Sequence, residues 1–304
     1  MRAGQRGVAI VLAMGVVALA AMAASAIIVT QSTWARRSEL TFDHVQAQLI
    51  IRAGVDWARA VLSDDRRVSA VDHLGEPWAL RLPPMPVDNG KLAGYIEDQQ
   101  GAFNVNNLVK GGKVNLVQLA YFRRLLEILD LPADLADALA DWLDADSEPL
   151  PRGGAEDGYY LALQPPYLAA NRPLIDVAEL ALVRGFDDNA RARLRRFITA
   201  LPDFTAINVN TAPPEVLAAL VDGLSLDGAR ELVAKRERAY FRDSADFLNR
   251  LPNGAAVPID YIGVSTTYFL ATMRVTIGGA QARGTALLAR ESTAWPAVIW
   301  RKLP

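Results

Sequence analysis

Cysteine is absent from the 304 residues, and histidine occurs only at His44 and His73. The first absence excludes disulfides and thiolate chemistry and leaves composition neutral between an oxidising and a reducing compartment. Both together leave no soft or imidazole donor set for zinc. A glycine-rich phosphate loop and a glycine-flanked nucleophile elbow are also missing, so nucleotide and hydrolase chemistry have no constellation to stand on, and no enzymatic activity is expected. Bulk charge is missing too. The 32 Lys and Arg nearly balance the 34 Asp and Glu, for a formal net charge of −2, which gives no electrostatic reason to expect nucleic acid or an acidic membrane surface.

The longest absence is local: no charged side chain occurs from Val8 to Ala35. As a helix, Val8 to Thr30 covers about 34 Å, enough for a bilayer core of about 30 Å. A secretory signal has a shorter apolar region and a small-residue cleavage site, which "AMAASA", Ala21 to Ala26, could imitate. The alternative cut lies before the apolar run: Arg2 and Arg6 form a basic leader of residues 1–7 held inside by charge bias, and Gly7 ends it. Cleavage there keeps the helix, residues 8–30, as a single-pass anchor with the remainder outside. Arg36 and Arg37 on the far flank reduce that asymmetry.

"RGVAIVLAM", Arg6 to Met14, resembles the type IV pilin-like leader, in which a prepilin peptidase cuts after the glycine and methylates the new amino terminus. The resemblance makes Gly7 and Val8 the processing site. Pilin-like subunits carry a glutamate at the fifth mature position, and here that position is Leu12. A carboxylate buried among apolar helices needs a partner, in such filaments the amine of the subunit assembled before it. A subunit with leucine there fits the first place in a filament. In this the chain resembles the protein K family of type II secretion minor pseudopilins.

The rest of the chain bears on that resemblance. Apolar positions continue at helical spacing through Phe42, Val45, Leu49, Ala53, Trp57 and Ala60, predicting one helix from Val8 to about Leu62. Alternating segments around "DNG", Asp88 to Gly90, predict a hairpin with a positive-φ turn, inside a first α/β part over residues 31–104. Residues 105–258 read as short helices, with "NVN" at Asn104 to Asn106 and again at Asn208 to Asn210 leading into helices as N-caps. Residues 259–304 return to strand periodicity around Gly278 and Gly279. The predicted fold is α+β: a pilin-like long N-terminal helix and antiparallel sheet with a large all-helical insertion.

Ile207 to Leu248 resembles the helix-hairpin-helix (SAM-like) module. Arg230, Lys235, Arg236 and Arg238 keep a membrane-anchored DNA-binding or uptake protein as the alternative. Against it, Asp222 and Asp227 flank the hairpin, and Glu231 and Glu237 interrupt the basic run. The segment "DWLDADSEPLPRGGAEDGYY" gathers Asp141, Asp144, Asp146, Glu148, Glu156 and Asp157. Those six carboxylates either turn to water or share a hard cation such as calcium, with Gly153 and Gly154 able to turn carbonyls inward. An EF-hand is excluded, because a loop starting at Asp144 has Pro149 where glycine is required.

Resemblance to protein K implies calcium in this acidic loop. It also implies partnership with minor pseudopilins I and J and other pseudopilus subunits, and a place at the filament tip anchored in a Gram-negative inner membrane, with the folded part in the periplasm.

Overall fold

The computed structural model describes residues 5–291 and 295–303, with side chains from residue 9 onward. The expected leader, residues 1–7, therefore begins outside the described residues. Gly7 and Val8 lie in the first turns of helix α1 (Gln5–Val68), and their side chains are likewise outside the description.

Helix α1 runs past the expected Leu62. Asp64 and Arg67 pair at 3.1 Å across one turn, and Arg66 and Arg67 complement the carbonyl end of the helix. Its first half is bare. In the second half Ala47, Ile51, Val55, Ala58 and Leu62 share one buried stripe.

The hairpin follows as β1 (Leu82–Val87) and β2 (Gly90–Asp98), with Asp88 at φ 40° in the turn. Three prolines in β1 lack amide donors, which suits a sheet edge.

The insertion then contributes β3 (Phe103–Asn104), β4 (Val109–Lys110), β5 (Lys113–Val114), α2 (Leu116–Ile128), α3 (Leu135–Leu143), α4 (Asp157–Tyr160) and α5 (Asp188–Leu194). It continues as β6 (Ile198–Thr199), β7 (Ile207–Asn208), α6 (Pro214–Leu220), α7 (Leu226–Arg238), α8 (Ser244–Asn249) and β8 (Ile262–Gly263). Two-residue strand pairs thus accompany the expected helices: β3 with β6, β4 with β5, and β7 with β8. Residues 259–263, expected to open the final strands, form a 3₁₀ turn and β8 inside the insertion instead.

The main sheet resumes with β9 (Tyr268–Ile277), β10 (Ala280–Ala289) and β11 (Ala297–Lys302). Its order is β1-β2-β9-β10-β11, antiparallel throughout, so the insertion interrupts the chain between two neighbouring central strands.

Phe269, Ala271, Met273, Val275 and Ile277 alternate along β9 to face α1 and close the first core. Gly284 lets β10 meet the helix, since a Cβ there would lie 2.4 Å from Ile51 Cγ2. The insertion has a separate, larger core around Phe103, Phe122, Leu139, Tyr160, Phe241 and Phe247. A small cluster of Leu201, Tyr268, Leu287 and Ala289 joins it to the outer face of the sheet.

Of the two Asn-Val-Asn copies expected to cap helices, only the first does so, with Asn104 before a 3₁₀ turn at Val105–Leu108, and both do other work. Asn104 and Asn208 each turn back onto the amide two residues on, at 3.2 and 3.0 Å. Asn106 and Asn210 each strap a distant segment through both edges of the amide: Asn106 to Leu174, Asn210 to Phe241. Helix α6 itself begins after Pro213 with no side-chain cap.

Candidate functional site

Spacings of four and three along α3 and its C-cap put Asp137, Asp141 and Asp144 on one face, and all three are buried. Asp137 is neutralised: Arg123 Nη2 donates to it at 2.5 Å, and the amide of Arg152 at 3.1 Å. Asp141 accepts from the amide of Leu150 at 3.0 Å, which turns the following loop back over the helix. That return needs Gly154, where a Cβ would stand 2.2 Å from Asp141 Oδ2.

The loop delivers Glu156 opposite Asp144. Asp144, Asp146 and Glu156 each offer an oxygen within 4.8 Å of the others. Asp144 Oδ1 and both oxygens of Glu156 are buried without a hydrogen-bond partner. Asp146 is exposed at the mouth and accepts from the amide of Glu148 at 2.9 Å.

Of the six candidate carboxylates, then, three converge. Asp141 lies behind them, held by the loop amide. Asp157 is turned to the amide of Ala169 at 2.9 Å, and Glu148 is exposed away from the group. Close by in the chain, Trp142 of α3 meets Tyr160 and Tyr167 edgewise, with Trp142 and Tyr160 centred 4.9 Å apart.

Burial dominates the electrostatics of the group. Burial, followed by repulsion from Asp146 and Asp141, pushes Asp144 up to about 6. Burial, followed by repulsion from Asp141, Asp144 and Asp146, pushes Glu156 up to about 7. Asp141 rises to about 6, again chiefly through burial. Unpartnered buried carboxylate oxygens are costly, and a hard divalent cation satisfies such a set of oxygens. No histidine belongs to the group among the described residues.

A second acidic group, Asp65, Asp72 and Glu76, also converges but is already filled. Arg290, fully buried, donates to Asp65 at 2.7 Å, to Asp72 and to the carbonyl of Thr266 at 3.2 Å, with its guanidinium 4.6 Å over the Phe269 ring. Glu76 accepts from Trp78 Nε1 at 2.8 Å. Sequence reasoning missed this clasp, because 218 residues separate Asp72 from Arg290.

The helix-hairpin-helix segment offers little to phosphate. Asp222 at the hairpin pairs with Arg124 of α2, and Ser225 caps Gly228. Arg236 is buried and donates to the carbonyls of Val209 and Ala212 at 2.7 and 2.6 Å, while Arg230 pairs with Asp227. Two of the four basic residues behind the DNA reading are thus used internally, and that alternative is not supported.

Helix α1 is the one described helix long and apolar enough to cross a membrane, as a single-pass anchor requires, and Leu12 is exposed on it.

A family model described as "Type II secretion system (T2SS), protein K" matches residues 101–203, and a second of the same description matches residues 207–265. Type II secretion system protein K of Pseudomonas aeruginosa is 38% identical over 290 residues, covering 91% of this chain and 86% of that protein. The protein of the same name from Klebsiella pneumoniae is 33% identical, covering 94% and 93%. Among solved structures, a chain of the GspK-GspI-GspJ complex from the enterotoxigenic Escherichia coli type 2 secretion system superposes with a TM-score of 0.78 at 26% identity, covering 88% of this chain and 99% of that one. With the pilin-like helix and sheet interrupted by a block that the family models match, the chain belongs to the type II secretion system protein K family, the minor pseudopilins of that machine.

Proposed function

We propose that this chain caps the tip of the pseudopilus, bound to minor pseudopilins I and J, and starts assembly of the filament that drives export across the outer membrane. Leu12 carries the reading: a leucine in the apolar stack asks for no amine from a preceding subunit, so nothing need stand above it. The likeness to a chain solved in complex with GspI and GspJ supports the choice of partners. The bare flank of α1, with Trp34, Phe42, Val45 and Leu49 exposed, supplies apolar surface for neighbouring subunits. Its role is mechanical, without catalysis and without nucleic acid. A prepilin peptidase cuts between Gly7 and Val8 and methylates the new terminus, leaving α1 in the inner membrane and the folded part in the periplasm.

Calcium is the proposed occupant of the acidic pocket. Asp144, Asp146 and Glu156 would hold it, and Asp141 would fix the loop that brings Glu156 in. Bound there, the ion supplies positive charge to carboxylates that otherwise repel one another.

The reading is tested by co-purification of the full chain with tagged I and J, with and without calcium, alongside Leu12→Glu. Tip placement predicts recovery of both partners, and spread of the L12E chain along the shaft. Failure to recover either partner, or equal shaft incorporation of parent and variant, refutes it. A mature chain beginning at Met1 by mass spectrometry refutes the processing step.

A further inference from the structure

One face of the main sheet packs on α1; the other is covered at one end only. There Leu201 of the insertion meets Tyr268, Leu287 and Ala289, and Tyr268 Oη bonds Asp203 at 2.5 Å. The opposite end is open, and its exposed positions are Lys91 on β2, Arg274 and Thr276 on β9, and Gln281 and Arg283 on β10.

Arg274 and Arg283 are directly opposite each other across the β9–β10 ladder. Side chains so placed stand about 5 Å apart at Cβ, and like charges there are unfavourable. Neither arginine, nor Lys91 in the next row, has an ion pair among the described residues. Glu97 of β2 feels Arg283 through space but pairs with Arg81 at 3.8 Å. The remaining cation, Lys302, is taken by Asp176 of the insertion. A rigid ladder thus holds two facing guanidiniums, neither of them in an ion pair, at the open end of the sheet.

We propose that this open end of the sheet docks an acidic segment of a partner protein, with Arg274 and Arg283 each receiving a carboxylate and Lys91 extending the basic row. Guanidinium forks suit bidentate carboxylate pairing. A lipid surface is a poor alternative on distance. Gly284, beside Arg283, abuts Ile51 of α1, about 30 Å of helix beyond Thr30 at the end of the apolar span, and even the β9–β10 turn at Gly279, beside Leu40, stands about 15 Å beyond it. Surface charge is screened within about 8 Å at physiological salt. The inference is independent of tip placement, because it requires only the sheet face.

The test uses the full chain in phosphatidylcholine nanodiscs, titrated with a fluorescent octaglutamate peptide by anisotropy. The parent should bind it, at least fivefold more weakly after a rise from 50 to about 300 mM salt. Arg274→Thr with Arg283→Thr, both suited to strands, should weaken binding at least fivefold with a Tm at or above the parent's, since repulsion is relieved. Lys235→Thr with Arg238→Thr on α7 should leave binding unchanged. Arg274→Glu with Arg283→Glu should lose octaglutamate and gain an octalysine peptide, a gain that misfolding cannot imitate. Equal binding by parent and the double threonine variant overturns the proposal, as does an equal loss in the α7 variant or no gain of octalysine. Binding to phosphatidylglycerol vesicles that depends on Arg274 and Arg283, without octaglutamate binding, overturns it in favour of lipid.

Discussion

Replacing Glu156 by glutamine should move stability in opposite directions with and without calcium. Burial and its acidic neighbours push the Glu156 carboxyl from 4.5 to about 7. A carboxyl raised on folding favours the unfolded chain wherever it must ionise, so the metal-free fold should lose stability as pH climbs from about 4 to 7. A shift of this size corresponds to about 3 kcal/mol, and water at the mouth beside exposed Asp146 cuts the effective figure to about 1. Glutamine removes that penalty and offers an amide donor to Asp144 Oδ1, which lacks one. In chelator at pH 7 the variant should therefore melt about 2–4 °C above the parent. With calcium at a hundred times its dissociation constant the parent gains about 2.7 kcal/mol, or about 5–10 °C, and the variant gains much less. Calorimetry of the full chain in detergent, in chelator and in calcium across pH 5 to 8, reads both signs. A variant that melts below the parent in chelator, or responds to calcium as the parent does, refutes the assignment of these oxygens to a cation.

Gly154→Ala drives a Cβ to 2.3 Å from the Leu150 amide nitrogen, so the loop must shift; a loss of about 1–3 kcal/mol and weaker calcium binding are expected, from urea titration and calcium calorimetry. Arg290→Met leaves Asp65 and Asp72 buried without their cation and should cost about 3–5 kcal/mol at pH 7 in urea unfolding. That cost should shrink as pH falls below about 6, where burial followed by repulsion from Glu76 already places Asp65 in the parent. Asn210→Ala strips both backbone bonds from Phe241 and should cost about 2–4 kcal/mol, read as a lower urea midpoint at an unchanged m-value.

What the sequence made legible was whatever repeats at short range. The helical spacing from Phe42 to Ala60 predicted that the outer half of α1 is helical but not which face is buried, since Phe42, Val45, Leu49 and Trp57 are exposed and Ala47, Ile51, Val55, Ala58 and Leu62 are covered; the positive-φ turn at Asp88 followed from "DNG". The end of α1 was missed because charged residues sustain the helix after the apolar stripe stops. The acidic run was visible, yet its convergent members were not, since selection depends on Gly154 and Leu150 closing a loop over α3. Asn-Val-Asn read as a cap because capping is local; strapping Leu174 and Phe241 is not. The Arg290 clasp has no sequence signal at all, because its members meet only once the sheet has closed.

That clasp also decides how the insertion is carried. Asp72, just past α1, accepts from the amide of Thr266 at 2.6 Å, while its own carbonyl accepts from Asn208 of the insertion at 3.1 Å. The same Asn208 amide donates at 2.9 Å to Asp98 at the end of β2, where Thr211 donates at 2.5 Å. Gln100 accepts from Thr267 at 2.7 Å and donates to Ala206 at 3.2 Å. Helix, sheet and insertion therefore share one polar junction in which Asp72, Asn208 and Arg290 are almost wholly shielded from solvent. Breaking any one member would strand several buried donors and acceptors together, a cost that a single hydrogen bond does not carry. The end of α1, the central strands and the base of the insertion are thus held to one another directly, through side chains that no one of the three supplies alone.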